Sequence, residues 1–244
     1  MSFFPNAINA QYGDEKKTST DKRWELGKVM VLPDGRMFRY GRASALNVVG
    51  NLYQQTLNSA EWDEIAVEAA AAIGATAVSI TNGTAAIAAD DFADGFLNVE
   101  DDAGEGRVYK ISSNLAIAAS AVGTINLYPN DPIQIALTTV TTVTLFRNPG
   151  VAVLIHQGPP TAALYGVAAA AIAASSYGWY QFKGPCSVLT SATDPILGKI
   201  AMASDTVDGA IETFTATGDD EEIVGTAMEA VATGEYALVN LNMA

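Results

Sequence analysis

A chain of 244 residues can bury a sizeable core, and an apolar content of 49% excludes global disorder. The formal net charge of −14 argues against nucleic acid as the main partner, and a single cysteine, Cys186, excludes an internal disulfide. With one histidine, His156, the residue types that most often carry catalysis are scarce.

Residues 1–23 are polar, with Pro5, Gly13 and clustered charges, and read as an extended N-terminal arm. From Trp24 to Tyr40 the pattern is a hairpin: Val29 and Val31 alternate, Pro33-Asp34-Gly35 turns, and Met37-Phe38-Arg39-Tyr40 returns. Asn51-Leu52-Tyr53-Gln54 is a further strand. Residues 61–73 are read as one short helix, with Ser59 as its cap, acids in its first turn, Gly74 as its stop and Trp62, Ala66, Ala69 and Ile73 on one face. Ala77 to Thr81 leads into Asn82-Gly83, a strong hairpin signal, with residues 84–88 as the return strand. Strands follow at residues 96–99 and 107–111 around an acidic, glycine-rich loop, then at 125–128, 133–137, 140–146 and 151–155. The alanine-rich segment 162–174 is read as a strand, because Pro159-Pro160 precedes it and Gly166 interrupts it. Further strands are expected at 177–182, 186–189, 200–203, 210–215, 223–229 and 236–241. Turn signals every eight to twelve residues indicate a mainly β fold of antiparallel sandwich or barrel-like sheets. The expected layout is an arm (1–23), a β-rich main domain (24–175) and a C-terminal β region (176–244) packed with it.

Charge is distributed unevenly: residues 1–42 carry a net +3 and the remainder −17. The basic set Lys16, Lys17, Lys22, Arg23, Lys28, Arg36, Arg39 and Arg42 is therefore the candidate contact for an acidic partner. No run approaches the roughly 18 apolar residues of a membrane span. The first six residues lack the basic and then apolar regions of a signal peptide, so synthesis in a cytoplasm is expected.

His156 has no GxSxG elbow and no acid near it in sequence, and reads as a structural histidine. The acidic run Asp90, Asp91, Asp94, Glu100, Asp101, Asp102 and Glu105 lacks EF-hand spacing and reads as a solvated loop. The second acidic group, Glu212, Asp219, Asp220, Glu221 and Glu222, singles out no catalytic pair. No phosphate loop, zinc spacing or dinucleotide fingerprint occurs, so no cofactor or metal is expected. Trp24, Trp62, Trp179, Tyr177 and Tyr180 suit either a core and an interface or a sugar-stacking platform. Alternation puts Tyr177 and Trp179 on one strand face and Tyr180 on the other.

Two stretches share one plan: Leu26-Gly27-Lys28-Val29 leading to Asp34-Gly35, and Leu197-Gly198-Lys199-Ile200 leading to Asp208-Gly209. Together with residues 177–189 and the late GEY turn before the closing strand, segments 26–54 and 197–242 resemble capsid decoration (cement) proteins of tailed bacteriophages, of the large β-rich kind. Residues 60–150 carry none of the resemblance. What it implies is a non-enzymatic virion protein on the capsid exterior that bridges and stabilises major capsid protein subunits, with homotrimers favoured and no membrane or nucleic-acid partner. The basic residues above are then the expected capsid contacts, and Tyr177, Trp179 and Tyr180 the expected oligomer interface. The alternative reading is a host-surface glycan-binding or tail-associated adhesion module using the aromatic strands.

Overall fold

The computed structural model describes residues 7–191, 196–215 and 221–243. Seventeen strands occur among them, in chain order β1 (Ile8–Asn9), β2 (Val29–Val31), β3 (Met37–Arg42), β4 (Leu52–Gln54), β5 (Ile65–Ala66), β6 (Ala77–Thr81), β7 (Phe96–Asp101), β8 (Val108–Asn114), β9 (Val122–Leu127), β10 (Thr142–Phe146), β11 (Leu154–Ile155), β12 (Leu164–Ala168), β13 (Tyr177–Leu189), β14 (Ile200–Ala203), β15 (Ile211–Thr213), β16 (Ile223–Ala227) and β17 (Tyr236–Asn242). The helical segments described are single 3₁₀ turns, at Asp14–Lys16 and Ala60–Trp62. The fold is mainly β with antiparallel sheets, as its sequence pattern indicates. Among the described residues no helix is long and apolar enough to cross a membrane.

Two compact units divide the chain: one takes in residues 1–57 and 149–244, the other residues 58–148. The second is a six-stranded sheet in the order β5-β10-β7-β8-β9-β6. A bridge between Val67 and Ile80, with the Glu68 amide donating to the Ser79 carbonyl, brings its last strand back to its first. Closure removes most of the free edges and gives one continuous interior, filled by Val78, Ile80, Leu97, Val99, Tyr109, Ile111, Ile125, Val143 and Leu145. Trp62 and Phe92 pack edge to face beside it (centroids 4.9 Å apart), and the Arg147 guanidinium lies 4.2 Å from the Trp62 ring centre while pairing with Asp91.

In the first unit, strands run β1-β2-β3-β13-β17-β16-β14-β15, with β12 pairing both β13 and β4, and β4 pairing β11. β13 is the longest element; its first half pairs β3 from Tyr177 to Lys183 and its second half pairs β17 from Lys183 to Leu189. Parallel bridges from Ala43 to Val153 and from Thr190 to Ile211 fold the sheet back on each half. Three cores result: the first half of β13 contributes to one with Leu26, Met30, Phe38, Tyr40 and Trp179 and to another with Tyr53, Tyr165 and Tyr180, and the second half to one with Val188, Val224, Val239 and Leu241.

A single turn recurs throughout. At residues 25–28, 48–51, 72–75, 88–91, 104–107, 118–121, 173–176, 196–199 and 232–235 the fourth amide donates to the first carbonyl, and the third residue has positive φ. That is a type II geometry, which explains glycine at 27, 50, 74, 106, 198 and 234, and the small polar Asp90, Ser120 and Ser175 elsewhere. In two cases the residue just before one turn exchanges two backbone hydrogen bonds with the residue before another, Asn47 with Ile172 and Ile87 with Ile117; Ala71 pairs in the same way with Leu137, which precedes a turn at 138–141 that lacks the positive φ. All six are buried.

These turns overturn several expectations. Residues 61–73 are not a helix: Ser59 Oγ accepts from the Glu61 amide, but the turn ends at Trp62 and Glu64 takes a φ of 50°. From there Ile65 and Val67 point inward while Glu64, Ala66 and Glu68 point out, a period of two, and Ile73 sits exposed in a type II turn. Asn82-Gly83 does not make a hairpin: β6 pairs β9 instead, and the Asn82 amide is buried, donating to the Ala85 and Ala118 carbonyls. Residues 133–137 form no strand, only the Leu137 bridge, and the strand expected across 162–174 spans Leu164–Ala168 before giving way to another turn. Residues 7–23 of the arm are not free, for β1 pairs parallel with β2 and Ser19 exchanges backbone hydrogen bonds with Tyr177. The opening residues 1–6, and Asp219 and Asp220, lie outside the described residues.

Gly74 combines a φ of 87° with open space around an added Cβ, so Gly74→Ala isolates backbone strain. It is expected to cost about 1 kcal/mol in urea unfolding. Leu97→Ala in the fully buried core of the same unit should cost roughly 2–5 kcal/mol.

Candidate functional site

The eight cationic candidates separate by what holds them. Arg36 pairs with Asp34 (2.8 Å), and the Arg39 guanidinium lies 4.3 Å from the Phe182 ring centre and 5.4 Å from that of Tyr165. Arg42 Nε donates to the Ser175 carbonyl (3.4 Å). These three serve the sheet at least as much as any partner. Lys16, Lys17, Lys22 and Arg23 are exposed and Lys28 is half-buried. Lys17 pairs with Asp14 (2.6 Å), and that hydrogen bond holds the Asp14 carboxyl below its ordinary pKa.

The 3₁₀ turn Asp14–Lys16 and the residue after it contribute to two hollows. Asp14 and Lys17 line one of about 420 Å³, floored by Tyr40, Tyr177 and Trp179 and edged by Trp24. Glu15 and Lys16 line another of about 620 Å³ with Arg36, Phe38, Cys186, Tyr236 and Leu238. A third, of about 400 Å³, is bounded by Lys22, Arg23, Trp24, Glu25 and Lys28. Beside the 620 Å³ hollow, β17 turns Tyr236, Leu238, Asn240 and Asn242 outward, a row without charge on a strongly acidic protein.

Of the three aromatic interface candidates, Tyr177, Trp179 and Tyr180, only Tyr177 remains half-exposed. Tyr180 is wholly buried, its hydroxyl accepting from Asn47 Nδ2 (2.6 Å) and its ring edge-on to Tyr53 and Tyr165. Trp179 is 6% exposed and packs on Tyr40. Burial pushes the hydroxyls of Tyr165 and Tyr180 well above their ordinary pKa and that of Tyr53 up to about 12. It pushes the Cys186 thiol up to about 12 as well, far from a reactive thiolate.

The acidic positions are held by local hydrogen bonds. Asp94 accepts from the Tyr128 hydroxyl, Asp102 from Thr138 Oγ1, and buried Glu212 from Ser191 and Ser204 Oγ. Among the described residues no cluster of three or more His, Cys, Asp or Glu could hold a metal ion. His156 is fully buried, and neither ring nitrogen has a hydrogen-bond partner. Its backbone instead ties Leu52 to Gly209.

Sequence reasoning missed the convergence of Trp24 with Tyr177 and of Phe38 with Tyr236, because the cross-strand register that joins them lies far from either local pattern. No family model, curated protein or solved structure matches the chain.

Burial lowers the His156 pKa to about 4, against an ordinary 6.5, and Asp208 opposes the shift. The folded state thus holds its proton less tightly than the unfolded chain, so stability falls as pH drops from about 6.5 to about 4 and levels off below. The loss should be about 3 kcal/mol, read as the difference in pH-dependent urea unfolding between the wild type and His156→Gln.

Proposed function

We propose that this chain is a structural protein of a tailed-phage virion that binds the outside of the assembled capsid and bridges its major capsid protein subunits. One observation carries the reading: the three segments whose sequences resemble decoration proteins meet at the 620 Å³ hollow. Segment 26–54 supplies Arg36, Phe38 and Val49, segment 177–189 supplies Pro185 and Cys186, and segment 197–242 supplies Tyr236 and Leu238. The resembling strands β3, β13, β17, β16 and β14 are also hydrogen-bonded neighbours in that order, while residues 58–148 form a unit of their own.

An apolar floor with Lys16 and Arg36 at its margin suits an acidic or extended segment of a shell subunit. The uncharged row on β17 extends the contact without electrostatic repulsion. Each such contact is weak, but engaging two shell subunits at once raises the effective concentration of the second event. Of the basic candidates, Lys16 and Arg36 are the ones this surface uses.

Virions assembled with the Leu238→Asp chain should carry roughly tenfold fewer copies per head than wild type at limiting protein, counted by quantitative mass spectrometry of purified particles. Leu238 is partly exposed, so its replacement should leave the unfolding midpoint nearly unchanged. Undiminished occupancy would remove the hollow as the contact, and absence of the wild-type chain from purified heads would remove the reading altogether.

A further inference from the structure

We infer that the surface around Trp24 is a saccharide-binding site, shaped for a pyranose ring that carries an acidic group. Trp24 is 45% exposed, on a chain whose other two tryptophans are buried. It belongs to the lining of both smaller hollows, one aromatic and one cationic. An occupant that uses both must offer an apolar face and a negative charge.

The aromatic hollow has the construction a sugar needs. Of its floor only Tyr177 is half-exposed; Tyr40 and Trp179, 3% and 6% exposed, back that ring, with Tyr40 stacked on Tyr177 (11° apart, centroids 5.7 Å) and Trp179 against Tyr40 at 5.0 Å. A pyranose presents axial C–H groups on its faces and hydroxyls around its rim, so it requires flat aromatic surface below and small donors and acceptors at the side. Asn9, Asp14, Thr18 and Ser19 supply that side. The platform is fixed in advance: the Arg23 amide donates to the Tyr40 hydroxyl (3.1 Å), Arg23 Nε donates to Ser19 Oγ (3.2 Å), and Ser19 is bridged to Tyr177. Pre-organisation of this kind lowers the ordering cost of binding. Lys22, Arg23 and Lys28 around the adjoining hollow then favour a ring bearing a carboxylate over a neutral one.

A nucleotide would also offer a flat ring and a charge. Asp14 and Glu25 in the two linings repel a phosphate and a carboxylate alike, so what favours the sugar is its rim of hydroxyls, which Asn9, Asp14, Thr18 and Ser19 can meet and a nucleobase lacks. The carboxylates are useful to a sugar, since they accept from its hydroxyls.

The full-length protein is titrated with a uronic-acid oligosaccharide, with a neutral oligosaccharide of the same length and with an oligothymidylate. Binding is followed by tryptophan fluorescence and saturation-transfer NMR. The uronate is expected to saturate below about 1 mM and to bind roughly tenfold more tightly than the neutral sugar. Trp24→Ala should weaken both sugars by roughly tenfold or more with an unchanged unfolding midpoint, as befits an exposed side chain. Lys22→Gln with Lys28→Gln should abolish the preference for the uronate and leave neutral-sugar binding intact. The inference is overturned if no saccharide saturates, if Trp24→Ala binds as well as wild type, or if the oligothymidylate binds more tightly than either sugar. None of these measurements involves a capsid, so the result stands apart from the shell-binding proposal.

Discussion

Everything in the first unit hangs on the backbone hydrogen bonds that β13 makes along its length. Its first half is held by β3 and β12 on opposite edges, and its second half by β17. Because successive side chains point to opposite faces, neighbouring residues of one strand can contribute Trp179 to one core and Tyr180 to another. Gly184, with positive φ, sits where the partner changes from β3 to β17, and the register with β3 slips there between Gln181 and Lys183. An irregularity of this kind bends a strand and increases its local twist. Both larger hollows draw lining residues from this strand, Tyr177 and Trp179 in one and Gln181 and Cys186 in the other.

The second organising element is the type II turn repeated before so many strands. It lets short strands follow one another with little loop, and its reciprocal pairing in two places satisfies buried backbone groups that a longer connection would leave open. Alanine is common in the turns at 72–75, 88–91, 118–121 and 173–176, where the first two residues face solvent and make no packing demand. Segments such as 69–74, 85–90 and 170–175 are one structural device written three times.

This device explains what the sequence does and does not disclose. Strands with strong alternation and β-branched or aromatic content, such as β3, β7, β8 and β17, are legible because one face of each is more buried than the other. The alanine-rich connections are not, since alanine's intrinsic preference is for helix and their geometry is dictated by pairing partners distant in the chain, such as Leu137 for Ala71. Asn82-Gly83 shows the same override: its local preference for a hairpin yields to the partner β9. The charged arm could be located from composition. That Arg39 stacks on Phe182 while Trp24 stays in solvent could not, because burial of a long side chain depends on what lies across the sheet.

The strands that flank residues 58–148, β4 and β11, are themselves paired, with Gln54 opposite Leu154 and Tyr53 opposite Ile155, and Thr56 donates to the carbonyl of Ala152. The chain therefore leaves and re-enters the first unit through one narrow stem. For the first unit the intervening polypeptide is topologically equivalent to a hairpin loop, whose closure entropy grows only with the logarithm of its length. Such a stem is a natural splice point, where a different cargo of residues can be carried without disturbing the framework that holds it.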